Sequence, residues 1–385
     1  MGFIFALNTN LSAALFSGKF HSGWIKAIQI GLSLVIFFLF LLSLELITQS
    51  SNQLDTGFTS GFLQVTGKPV VSLSIGLLAT AIIQSSSTFT ASLVAMVAGN
   101  VLSLESAVFM VLGANIGTTV TCMMVSFGSL ATPKAFRRGF MVASSHVIFN
   151  VLSALLFFVL ESKGQILSKS SQFLAGQLST WDAFGEGWRS FIGFLVLPVT
   201  NLVFSLVQMQ PIVSLGLGFI LLFSTIYLLI SIFKWIVLGN ESGKLIKNAV
   251  SNPLISLASG IGVTAAIHSS SVTTSLSVLL ASTQKISPKK LFPFIIGANL
   301  GTTITALLAA IGRSESAIAI AICHFIFNLA GALFFFPFPA LRAFPMILAR
   351  WTADMAYKRM AFGFGYLVIL FYILPFLVIF LSEKF

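Results

Sequence analysis

Apolar positions run unbroken through seven stretches of the chain, at roughly 28–47, 104–127, 139–160, 212–238, 291–311, 316–337 and 361–382. Each approaches or exceeds the ~20 residues that a helix needs to cross a bilayer core. Two more stretches, 69–100 and 253–283, are apolar but interrupted midway by polar clusters, Gln84-Ser85-Ser86-Ser87-Thr88 and His268-Ser269-Ser270-Ser271. Their arms, about 15 residues each, are too short to span. Each stretch therefore predicts a re-entrant helical hairpin with a polar tip at membrane depth. The first apolar stretch follows Lys26 and is long enough to span, which predicts a retained first helix. The 190–237 region must cross an odd number of times, and Pro198 interrupts the 191–209 part of it.

The interrupted stretches belong to an internal repeat. Pro69 aligns with Pro253, Gln84 with His268, and Gly113-Ala114-Asn115-Ile116-Gly117-Thr118-Thr119 with Gly297-Ala298-Asn299-Leu300-Gly301-Thr302-Thr303, all at an offset of 184. A fourth block, His146 to Asn150, recurs as His324 to Asn328 at an offset of 178, so the second half has lost six residues in between. The predicted organisation is an N-terminal region with the first helix (1–68), repeat 1 with its hairpin (69–160), an outer loop and linking helices (161–252), repeat 2 with its hairpin (253–337), and a basic loop with the last helix (338–385). The fold class is all-α, a polytopic integral membrane protein of two repeats, each with a re-entrant hairpin and a helix unwound at its Gly-Ala-Asn-x-Gly-Thr-Thr segment.

Composition agrees: 57% of residues are hydrophobic and 8% charged, against about 25% charged in soluble domains. The net charge of +11 would suggest nucleic acid in a soluble protein, but the Lys and Arg residues sit in short loops between apolar stretches, as the positive-inside bias requires, so no nucleic-acid partner is expected. Cys122 and Cys323 both fall in apolar segments and indicate neither a disulfide framework nor a metal site. Charge also orients the halves. Around the first hairpin Asp55, Lys68 and Glu105 sum to −1; around the second, Glu241 against Lys244, Lys247, Lys285, Lys289 and Lys290 sums to +4. The first hairpin is thus expected to enter from outside and the second from the cytoplasm, an inverted repeat of the kind that places a binding site at the midplane and permits alternating access.

Helix ends inside a membrane must find partners for their free amides and carbonyls. Hydroxyls, side-chain amides and backbone carbonyls suit a hard monovalent cation such as sodium; hydroxyl donors and helix N-termini suit an oxyanion. Bound side by side, each lowers the cost of burying the other. Ser, Thr and Gly also serve close helix packing, but packing alone does not require a Gln, two Asn and two Thr-Thr pairs at matching positions. His146 and His324, each four residues before an Asn, read as interhelical hydrogen-bonding residues rather than ligands. Glu45, near a helix end, is expected to reach the interface. An intramembrane hydrolase built on His268 and an adjacent serine lacks a second acid to orient the histidine, so no enzyme is expected.

The Gln84–Thr88 cluster, the Gly113 and Gly297 segments, and the run Cys323-His324-Phe325-Ile326-Phe327-Asn328 leading to Pro337-Phe338-Pro339 resemble the type II sodium-phosphate cotransporter family over roughly 28–382. The length is similar to that of compact bacterial members. The resemblance implies a symporter of inorganic phosphate with sodium as the coupling ion and no other cofactor, a multi-pass protein of the bacterial cytoplasmic membrane, and a homodimer. It implies phosphate contacts at Ser85, Ser86, Ser269 and Ser270, with Gln84, Ser87, Thr88, Asn115, Thr118, His268, Ser271, Asn299 and Thr302 as the pool for sodium. The family pattern has Gln where this chain has His268, which bears on one sodium site or its pH behaviour, and the long Cys-containing outer loop of the animal type has no counterpart. A carrier of another small anion, sulfate or a dicarboxylate, is the alternative that competition assays would separate.

Overall fold

The computed structural model describes residues 22–179, 186–207, 210–237, 249–284 and 286–382. Glu241, Lys244, Lys247 and Lys285, which carry much of the charge expected around the second hairpin, lie outside them. Seven helices among the described residues are long and apolar enough to cross a membrane: Ile30–Asn52, Leu104–Phe127, Pro133–Gly164, Pro211–Leu228, Pro288–Ala310, Glu315–Phe335 and Met360–Ser382. They coincide with the seven unbroken apolar stretches. The protein is an all-α polytopic membrane protein.

Helices α1 (Ser22–Asn52) and α2 (Thr56–Thr66) precede the first repeat. That repeat comprises α3 (Pro69–Ile83), α4 (Ser86–Ala98), α5 (Leu104–Gly117), α6 (Thr119–Phe127) and α7 (Pro133–Gly164). Linking helices α8 (Ile166–Leu178), α9 (Glu186–Leu206) and α10 (Pro211–Val237) follow. The second repeat is α11 (Pro253–Ile267), α12 (Ser270–Ser282), α13 (Pro288–Ala310) and α14 (Glu315–Phe335). Then come α15 (Pro339–Lys358), α16 (Met360–Val368), a π-helical turn (Ile369–Ile373) and α17 (Leu374–Ser382). Pro69, Pro133, Pro253, Pro288 and Pro339 each open a helix, where the missing amide costs nothing and the fixed φ is already helical. Helix α9 contains Pro198, and its segment Gly193–Leu206 is a shorter apolar helix; Met209 lies outside the described residues.

The expected pair of unwound helices is not what the chain forms. Thr118, between α5 and α6, keeps helical dihedrals (φ −53°, ψ −31°), and α13 runs unbroken through Gly297–Thr303. The glycines serve packing instead. A Cβ on Gly76 would fall on the Met110 carbonyl oxygen and one on Gly113 on that of Leu73; Gly260 and Gly297 stand in the same relation to Phe294 and Leu257. Each hairpin's first arm thus lies backbone against backbone on the crossing helix of its own repeat, α3 on α5 and α11 on α13. Lipid offers no hydrophobic driving force between helices, so this close approach, with its dispersion contacts, is what holds the arms. Asn115 Nδ2, Thr118 Oγ1 and Thr302 Oγ1 donate to the carbonyls of Val111, Ala114 and Ala298, at 2.8, 3.0 and 2.9 Å, bonding back within the helix they were expected to interrupt.

Polar contacts sort the helix ends into two sets. At one end Thr48 Oγ1 of α1 donates to Ala95 O of the first hairpin at 3.4 Å, Lys68 Nζ donates to Ser382 O at 2.6 Å, and Arg313 Nη1 donates to Glu45 Oε2 at 2.6 Å. At the other, Arg138 donates to Ala281 O and Ile286 O at 3.0 and 2.7 Å, Ser256 Oγ donates to Lys290 O at 2.9 Å, and Arg137 pairs with Asp354. The open end of the first hairpin belongs to the first set and that of the second hairpin to the other. Glu45 pairs with Arg313, which is itself 7% exposed and lies in the turn between two spanning helices. Splitting such a pair leaves a poorly solvated charge, so it fastens α1 to the turn between α13 and α14.

Candidate functional site

Both hairpins turn on the same backbone. At the end of α3, Gln84 adopts φ 59°, ψ 25°; at the end of α11, His268 adopts φ 56°, ψ 26°. The left-handed region costs a residue with a Cβ about 1–3 kcal/mol, and the chain accepts it at both tips, 184 positions apart. The next residue in each is extended and caps the second arm: Ser85 Oγ accepts from the Thr88 amide at 3.3 Å, and Ser269 Oγ from the Val272 amide at 3.4 Å. Ser85 Oγ also shares a 2.7 Å hydrogen bond with Thr88 Oγ1.

The two tips meet. Ser87 Oγ donates to the His268 carbonyl at 3.3 Å, and Ser271 Oγ donates to the Gln84 carbonyl at 3.1 Å. Such a reciprocal exchange, in which residue i of one element bonds j of the other and the reverse also holds, is what a local two-fold relation produces. In each triplet the first serine caps, the third bridges, and neither task engages the middle one. Those middle residues, Ser86 and Ser270, begin α4 and α12 and are 3% exposed each. Two helix N-termini, with their amides and positive dipole ends, are therefore brought together around hydroxyls.

A cavity of about 780 Å³ opens beside this junction. Of the residues expected to bind phosphate or sodium, Gln84, Ser85, Thr88, Ser269 and Ser271 line it. Ser86, Ser87, His268 and Ser270 belong to the same two tips but not to its wall. Asn115, Thr118, Asn299 and Thr302 lie on the crossing helices. Asn299 is committed to a network there: its Oδ1 is 2.8 Å from His146 Nε2, and its Nδ2 donates to Asn150 Oδ1 at 2.8 Å. His146 is thus an interhelical hydrogen-bonding residue, as its position suggested. His324 is not: both of its ring nitrogens and Asn328 Oδ1 are buried without a partner, so the reading made for both histidines holds for one.

Sequence reasoning missed part of the wall. Thr121 and Ser275 belong to the wall, and their hydroxyls are buried without a hydrogen-bond partner. Thr121 carried a signal, because Thr305 stands 184 residues on and is the partner of His268, Oγ1 to Nδ1 at 3.2 Å. Phe223, Ile226 and Tyr227 come from α10, which belongs to neither repeat, and nothing in the repeat could have indicated them. The imidazole Nδ1 is engaged by Thr305, and Ser269 Oγ accepts the capping amide of Val272.

A protein-family model described as Na+/Pi-cotransporter matches residues 39–176 and 220–371. The chain is similar to the sodium-dependent phosphate transport protein 2A of Rattus norvegicus, 27% identical over 435 residues that cover 92% of this chain and 67% of the relative. It is similar to the 2A protein of Ovis aries, 26% identical over 94% of this chain and 69% of the relative, and to the 2B protein of Homo sapiens, 26% identical over 91% and 65%. No solved structure matches the chain.

Proposed function

We infer the function from one premise: the chain belongs to the Na+/Pi-cotransporter family. It is a sodium-coupled membrane transporter of inorganic phosphate and, like its relatives, a carrier rather than an enzyme. Its site is the junction of the two hairpin tips, and the observation that carries this reading is the reciprocal bonding of Ser87 and Ser271 beside a cavity lined by Ser85, Thr88, Ser269 and Ser271. Phosphate is bound by the N-termini of α4 and α12, with Ser86 and Ser270 as donors and Ser85 and Ser269 alongside. Sodium takes oxygen ligands from the same tips, drawn from Gln84, Ser87, Thr88, His268 and Ser271. The left-handed carbonyls of Gln84 and His268, each already accepting one hydroxyl, have a second lone pair to offer. Each cation offsets part of the charge that phosphate brings into a site of low dielectric, which couples the two ligands.

The repeats are inverted across the membrane, an orientation supported by the opposite ends at which the hairpins open and by the basic loops on the second hairpin's side. Alternating access then consists of one hairpin moving from the other, breaking the two serine–carbonyl bonds in turn. A bacterial cytoplasmic membrane location and a homodimer belong to the same reading, with the family likeness as their support. The purified protein in liposomes is expected to accumulate labelled phosphate under an inward sodium gradient and not when potassium replaces sodium. Equal uptake in the two salts would refute the coupling.

A further inference from the structure

A second cavity, of about 580 Å³, lies at the end of the molecule where the second hairpin opens, far from any role in the site above. Four elements build it: the start of α7 with Arg137 and Arg138, the start of α11 with Pro253, the start of α13 with Lys289, and one face of α15 with Arg342 and Arg350. Five cations thus border one hollow. Arg137 is paired with Asp354, and Arg138 is spent on the carbonyls of Ala281 and Ile286. Among the described residues the two ion pairs use Arg137 and Arg313; Asp354 also attracts Arg350, one helical turn away, whereas Lys289 and Arg342 are in neither ion pair, and Arg342 lies over the Phe336 ring at 5.4 Å. Five positive charges and the one carboxylate of Asp354 leave +4 around a single cavity. A concave patch of one sign favours an anion within it.

The rest of the lining says what kind of anion. Between the cations stand Met141, Phe292, Pro293 and Met346, so a cationic mouth meets an apolar floor. On α15 the spacing Arg342, Met346, Arg350 sets charge, apolar contact and charge along one helical face. Phe344, Ile347 and Trp351 of the same helix are exposed, and α15 is not one of the seven spans. Exposed aromatics beside arginines on a helix that does not cross are the marks of one lying at headgroup level. We propose that this cavity binds a phosphate-bearing anion, with Arg342, Arg350 and Lys289 as the recognising charges and the headgroup of an anionic phospholipid as the ligand whose chemistry fits both lip and floor. Free inorganic phosphate shares the anionic half of that chemistry and not the apolar half. The inference is independent of the transport reading.

The test uses the full chain in neutral detergent and potassium buffer, titrated with a short-chain phosphatidylglycerol, a short-chain phosphatidylcholine or inorganic phosphate, with the midpoint of thermal unfolding as readout. To remove the transport site from the phosphate titration, that arm is run in a Ser86→Ala/Ser270→Ala background. Phosphatidylglycerol is expected to raise the midpoint and phosphatidylcholine is not. Arg342→Gln/Arg350→Gln should weaken the phosphatidylglycerol response about 25-fold, the product of about fivefold for each charge removed at a membrane surface. Arg342→Lys/Arg350→Lys should keep most of it. Lys289→Gln, at an exposed position, gives a loss of about fivefold where the double variant proves unstable. A midpoint raised by phosphate and not by lipid, and lost in the same variants, would identify the source as free phosphate and leave the site standing. An equal response to both lipids with none to phosphate, or affinities unchanged in the Gln variants, would overturn it.

Discussion

The two hairpin tips share their backbone to within a few degrees and differ at the side chain that occupies the left-handed position. Gln84 is exposed and reaches only Met124 Sδ, at 3.7 Å, whereas the His268 ring is held at 3.2 Å by Thr305. Everything that shapes the junction survives this difference: left-handed residue, capping serine, middle serine at the helix start, bridging serine. The comparison teaches that duplication preserved the main-chain cradle, which binds through amides and carbonyls indifferent to the side chain they follow, and left the tip side chain free to diverge. Functional symmetry is therefore expected where the backbone and the serines act, and asymmetry where Gln84 and His268 act.

The strongest break would come from topology. In a variant lacking Cys122 and Cys323, both fully buried, a cysteine replacing Asp55 should be labelled only from outside and one replacing Lys289 only from the cytoplasm. Labelling of both from one side would end the inverted relation and make the likeness of the tips a parallel one. Next in size is the loss of a middle serine. Ser86→Ala and Ser270→Ala should each lower phosphate uptake about 10–100-fold, the worth of one hydrogen bond to a charged ligand in a desolvated site. Losses within a few fold of each other would sharpen the symmetry; an effect at one position alone would show that phosphate leans on a single hairpin.

The smallest effect concerns the divergent side chain. An amide stays neutral, whereas imidazole titrates near ~6.5 when unperturbed. Protonating His268 places a cation beside the oxygens assigned to sodium, so apparent sodium affinity should fall as pH drops through the titration of this histidine in the folded protein. The size should be on the order of fivefold, about 1 kcal/mol for a neighbouring charge screened as in water. Bound sodium opposes the proton, so higher sodium moves the fall to lower pH. Phosphate titrates in the same range, and His268→Gln cancels that contribution because it is common to both proteins. The variant should transport and give the flatter profile; superimposable profiles would reduce His268 to a structural partner of Thr305.

Much of the architecture was legible in the sequence because a membrane makes it so. A spanning helix must be apolar for about 20 residues, which located all seven spans, and two short-armed stretches with polar centres could only be hairpins. The 184-residue register placed the tips as equivalents before any coordinates. What the sequence could not determine was the use to which small residues are put. Glycine is permitted both where a helix unwinds and where two backbones touch, and only the contact of Gly113 with the Leu73 carbonyl, repeated by Gly297 at Leu257, decides for touching. In the same way, the amide of Asn299 suits an ion or a neighbour, and its neighbour proved to be His146 from another helix. Tyr227 and Phe223 enter the cavity from outside the repeats, and Arg342, Lys289 and Arg137 share a hollow although they lie far apart in the chain. Periodicity and composition report what a segment needs from its surroundings. Which surroundings it receives depends on contacts between distant segments, and those exist only once the helices have packed.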